Sequence, residues 1–140
     1  MYRHILIAND GSDGALRALD AAIELASALG ARLHMISVEE ALPKHAETID
    51  EIEEEKEEED SYFGKVAAYA WAKAVKRNIE LQCTVVRGHE VKSIVDFARE
   101  NGCDLLVVGF MGHSRLYDRI WGGTSQNLAR LAPCSVLVVK

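Results

Sequence analysis

The chain has 140 residues, of which 49% are hydrophobic and 27% charged, enough apolar material for one packed domain and too much for widespread disorder. Its net charge of −6 is unevenly placed: residues 50–60 hold nine acids and one base, and the remainder is close to neutral. With no basic stripe to neutralise phosphates, nucleic-acid binding is disfavoured, and no apolar run is long enough to span a membrane.

The short run Ile5-Leu6-Ile7-Ala8 reads as a first strand, stopped by the turn cluster Asn9-Asp10-Gly11-Ser12. It is too short for a signal-peptide core, so a soluble cytoplasmic protein is expected. Leu16, Leu19, Ala22, Ile23, Ala26 and Leu29 then mark one helical face between a candidate N-cap, Ser12, and a candidate stop, Gly30. A second strand follows over 32–38. Residues 43–60 form an acidic insert with few apolar anchors, and a packed helical stripe resumes near Tyr62 with Phe63, Val66, Ala67, Ala70 and Ala74. A third strand over 81–87 precedes a helix carrying Val91, Ile94, Val95 and Ala98, closed by Gly102. The run 103–109 is apolar enough for a strand covered on both faces. A last helix with Leu128 and Leu131 ends at Pro133, and 134–139 forms the final strand. Alternation of this kind predicts one α/β unit over 1–140, with a parallel sheet and helices on both faces. Cys83, Cys103 and Cys134, odd in number and widely spaced, read as reduced core residues. His4 and His34 read as structural strand histidines.

Two glycine-bearing loops follow strands and are the candidate site. One is Ala8-Asn9-Asp10-Gly11-Ser12. The other runs from Gly109 through Met111, Gly112 and His113 to Gly122-Gly123-Thr124-Ser125. If strands one and four are neighbours, both loops flank the cleft at the carboxyl edge of the sheet. Glycine lets backbone N–H groups approach an oxyanion, and the second cluster opens a helix whose free N–H groups favour an anion. That pattern fits either a phosphate cradle or close packing of helix on strand. Neither a P-loop nor a dinucleotide fingerprint is present.

The spacing Gly109-x-x-Gly112-x9-Gly122, followed by a hydroxyl-bearing run, resembles the nucleotide-binding signature of the universal stress proteins. The first strand with its acidic turn and the closing run 132–139 are similar to that family as well. The resemblance covers residues 3–139 and lapses only in the acidic insert. It implies a five-stranded parallel sheet of order 3-2-1-4-5 that binds ATP; Asp10 could hold Mg²⁺ through the phosphates. Asp10 would lie beside the nucleotide, the Val38 backbone would meet the adenine edge, and Gly109 would lie near the ribose. Gly112, Gly122 and the residues after them would hold phosphate. One departure is Gly123, which stands where the family has Ser or Thr.

The leading expectation is therefore an ATP-binding regulatory protein of the stress response. A slow ATP hydrolase or phosphoryl- or adenylyl-transfer enzyme, and a nucleotide-free dimeric scaffold, are the alternatives. In the implied order strand five is an edge, apolar throughout Val136-Leu137-Val138-Val139, and a homodimer through 135–139 is expected.

Overall fold

The computed structural model describes residues 1–39, 48–110 and 123–140. Met111, Gly112, His113 and Gly122 lie outside the described residues. The elements run β1 (His4–Ala8), α1 (Asp13–Leu29), β2 (Arg32–Glu39), α2 (Ile49–Lys76), β3 (Leu81–Arg87), α3 (Glu90–Glu100), β4 (Leu105–Gly109), α4 (Thr124–Leu131) and β5 (Ser135–Val139). All five strands are parallel and ordered β3-β2-β1-β4-β5, as the resemblance implied.

Strand alternation divides the core into two layers. Ile5, Ile7, Leu33, Met35, Leu105 and Val107 face α1 and α2, where Ala18, Leu19, Ala22, Ala26, Val66 and Ala70 meet them. Leu6, Ile36, Leu106 and Val108 face the opposite side and pack against Ile94, Val95 and Ala98 of α3 and Leu128 of α4. Because the central strands β1 and β4 are covered on both faces, they are apolar at nearly every position.

Both ends of α1 are fixed by the residues expected there. Ser12 caps the start by accepting from the Ala15 N–H at 3.2 Å, and Gly30 closes the end in the left-handed region at φ 62°. Three single residues depart from the periodic reading. Leu29 and Leu131 are the last residues of their helices, and both are exposed. Cys83 is exposed rather than buried, because β3 is an edge strand and part of its length faces solvent; Cys103 is buried and Cys134 half-buried.

Helix α2 is continuous over 28 residues, yet it packs only in its second half, where Val66, Ala70 and Ala74 are buried. Ile49 and Ile52, the sole apolar residues of the acidic half, are both exposed. That half is a solvated helix.

Candidate functional site

Strand β1 lies between β2 and β4, and the chain crosses to the other side of it after β3. The order of crossovers reverses there, the switch point at which open parallel sheets take ligands in a crevice beyond the carboxyl ends of the strands, here β1 and β4. The turn leaving β1 is held from several directions. Asn9 is buried, and its N–H donates to the Ile36 carbonyl at 3.0 Å. Its own carbonyl accepts from the Ser37 hydroxyl at 2.7 Å. The Asn9 side chain accepts from the Gly11 N–H at 2.9 Å and donates to Met35 Sδ at 3.3 Å. The Asp10 carboxylate accepts from the Ser12 N–H at 3.0 Å, and Gly11 takes φ +81°, the left-handed region that favours glycine. A buried asparagine with donor and acceptor both engaged fixes this turn in one conformation.

Ala8 is half-buried and packs against the α3–α4 face of the core. Val38 packs on that same face and pairs with Val86 of β3, so its position beside the crevice is set by the β2–β3 register.

Gly109 ends β4, and its role is visible in the packing. A Cβ there would lie 2.6 Å from the carbonyl carbon and oxygen of Gly14 and 2.9 Å from the Ala15 N. The first turn of α1 therefore rests directly on the end of β4. At this glycine the close-packing reading is sufficient.

Gly123 is the N-cap of α4, with φ −59° and ψ 175°, and no side chain caps the helix. Those angles are open to any residue, so backbone conformation does not require glycine here. Ser125 is buried in the first turn, and the Thr124 hydroxyl donates to Glu90 Oε2 of α3 at 3.3 Å. The Gln126 and Asn127 N–H groups donate to the Gly123 carbonyl at 3.0 and 3.1 Å, and the Thr124 and Ser125 N–H groups ahead of them have no acceptor within the helix, so they are suited to an anion.

Residues that local pattern did not tie to the site converge on the same edge. Glu39, at the end of β2, is buried, and its Oε2 accepts from Arg87 Nε at 3.1 Å across the strand pair. Arg87 Nη2 also lies 3.6 Å from Asp60 of α2. Burial foremost, and the Glu39 charge after it, push the Glu59 carboxyl above its ordinary value. Two residues beyond Asp60, the Tyr62 hydroxyl donates to the Asp10 carbonyl. A charged residue closing each of two adjacent apolar strands was the one local hint of the Glu39–Arg87 pair. Among the described residues no cluster of three or more His, Cys, Asp or Glu is placed to hold a metal ion, and no helix is long and apolar enough to cross a membrane.

The sequence profile described as the universal stress protein family matches residues 1–140. Universal stress protein YxiE of Bacillus subtilis is 33% identical over a 153-residue alignment that covers 100% of both chains. A crystal structure of a universal stress protein in complex with cAMP superposes with a TM-score of 0.77 at 27% identity, covering 99% of this chain and 97% of that one. The universal stress protein of Archaeoglobus fulgidus in complex with dAMP gives a TM-score of 0.67 at 25% identity, covering 99% and 98%.

Proposed function

The chain belongs to the universal stress protein family, and from that premise we propose that it is a cytoplasmic regulatory protein that binds ATP at the carboxyl edge of β1 and β4. Occupancy would alter its shape or its choice of partner in a stress response. The observation that carries this reading is the polar turn Asn9–Ser12, locked in one conformation at the point where the crossovers reverse. The uncapped start of α4 supplies anion-seeking N–H groups. Two relatives of this fold hold cAMP and dAMP, ligands that share an adenine and a phosphate. In this reading Asp10 and the Val38 backbone flank the nucleoside, and Gly112, Gly122, Gly123, Thr124 and Ser125 take the phosphates. Mg²⁺ would arrive on the phosphates, near Asp10.

The protein is further proposed to pair as a homodimer along β5. That strand is a sheet edge, and its Leu137 is exposed. Light scattering at micromolar concentration should report about twice the chain mass, and truncation before Val136 should abolish that species.

One observation favours a nucleotide-free scaffold instead: Gly109 is accounted for by the contact with Gly14 and needs no ligand. Chromatography of the small molecules released on denaturing the purified protein separates the two readings. ATP in stoichiometric amount is the expected result. No nucleotide, together with no heat of binding on titration with MgATP, would leave the scaffold.

A further inference from the structure

The acidic helix α2 is tied to the candidate site at two points, and neither tie belongs to the packed core. The first is Tyr62. Its hydroxyl donates to the Asp10 carbonyl at 2.5 Å, and the ring lies over Gly11, where an added Cβ would fall 2.2 Å from the phenol oxygen. Only glycine both accepts φ +81° and leaves room for this ring. Burial, and then the Asp10 carboxylate, push the Tyr62 phenol above its ordinary value, so it remains a donor throughout the neutral range. The second tie is Asp60, which faces Arg87 while Arg87 holds the buried Glu39, next in sequence to Val38. Residues 60 and 62 thus reach both flanks of the crevice, from the place where α2 passes from its solvated half to its packed half.

We infer that Tyr62 is a positioning residue for the nucleotide, fixing the Asp10 turn in its binding geometry and coupling the acidic half of α2 to occupancy of the site. This inference rests on the nucleotide reading above. The Asp10 peptide has its carbonyl held by α2, its carboxylate turned back on Ser12, and Gly11 on its far side. A ligand seated against this turn meets a backbone already ordered, so the ordering cost is met before binding. Coupling between two equilibria is reciprocal, so a bound nucleotide must in turn steady Tyr62 and the turns of α2 leading to it. Tyr62 touches no reacting atom in this account; it acts through Asp10.

The test uses the full chain and MgATP. Calorimetric titration of the wild type, Tyr62→Phe and Tyr69→Phe is paired with hydrogen exchange at the amides of residues 52–62. Tyr62→Phe keeps the ring and removes only the hydroxyl, whereas Tyr69 lies exposed farther along the same helix. Expected is binding by the wild type and Tyr69→Phe alike, with Tyr62→Phe weaker by roughly three- to tenfold, the worth of one hydrogen bond. MgATP should slow exchange along residues 52–62 in the wild type and leave it unchanged in Tyr62→Phe. Equal affinity in wild type and Tyr62→Phe would overturn the inference while leaving nucleotide binding in place. A fall in the melting temperature of ligand-free Tyr62→Phe large enough to account for the lost affinity would reduce Tyr62 to a strut and overturn it as well. No binding by the wild type would bring down both readings together.

Discussion

The two edges of the sheet are built from similar materials and closed in opposite ways. At the amino edge the loops are stitched to the strands beside them. The Asp104 carboxylate accepts from the Arg3 and His4 N–H groups at 2.8 and 3.0 Å, and the Asp104 N–H returns a bond to the His4 carbonyl. Burial works to raise the Asp104 carboxyl, but these N–H groups outweigh it and hold it below the ordinary range. His4 Nδ1 donates to the Asn101 carbonyl at 3.1 Å, and His34 pairs with Thr84 at 2.7 Å while meeting the edge of Phe97. At the carboxyl edge the polar groups are just as well partnered, but there a helix joins the strands: Ser37 serves Asn9 and Arg87 serves Glu39 from neighbouring strand ends, while Tyr62 reaches Asp10 from within α2. An edge that closes on itself stabilises the fold. An edge held open by neighbouring elements keeps a crevice, and its shape then depends on where those elements sit.

That contrast can be broken most forcefully at Gly109. Gly109→Ala places a methyl 2.6 Å from the Gly14 backbone, which has no flexible end to swing aside. The first turn of α1 must lift off β4, with an expected loss of roughly 1–3 kcal/mol in chemical denaturation. A variant as stable as the wild type would show that α1 rides more loosely on β4 than the contact implies.

The amino edge should lose stability on mild acidification. His34 is held below its ordinary value by burial first and by His4 second, so the folded state binds fewer protons than the unfolded chain. Its neutral form is the one packed between Thr84 and Phe97, beside His4. The stability it supports is complete above about pH 6.5, the unperturbed histidine value, and falls as pH drops through that value. Melting temperatures followed from pH 7.5 to 5.5 should decline, and His34→Gln should flatten the curve. An unchanged slope would place the acid sensitivity elsewhere.

The smallest effect is expected at Gly123. Serine fits φ −59° and ψ 175° and would add a side-chain cap to α4. Gly123→Ser should raise stability by only a few tenths of a kcal/mol. Affinity for MgATP, read by calorimetry, should tighten by no more than about tenfold for one added hydrogen bond. Weaker binding would mean that the added side chain crowds the phosphates.

Local chemistry made most of the architecture legible. Ser12 and Gly30 bracket α1 because an N-cap oxygen and a left-handed stop are satisfied by neighbours within a few residues. The unbroken apolar run of β4 announces burial on both faces, and the two strand histidines are satisfied structurally as expected. What stayed hidden are pairings between distant residues. Tyr62 meets Asp10 from 52 positions away, and Arg87 meets Glu39 from 48. In the sequence Tyr62 marks only the start of a packed stripe, because helical periodicity reports which face is buried and not which backbone atom a hydroxyl reaches. Cys83 misled for a related reason: apolar neighbours mark a strand, but not whether the strand lies at the edge.

The acidic half of α2 also sets an electrical condition on whatever approaches the crevice. Its nine acids against one lysine run over about three turns, or some 16 Å, and the run ends at Asp60 beside Arg87. An anion diffusing toward the carboxyl edge from that side climbs a negative potential before reaching any N–H donor. Salt shortens the reach of that potential to about 10 Å at 0.1 M. Added salt therefore hastens the arrival of a polyphosphate here, the reverse of the steering by which a basic cleft gathers its anions.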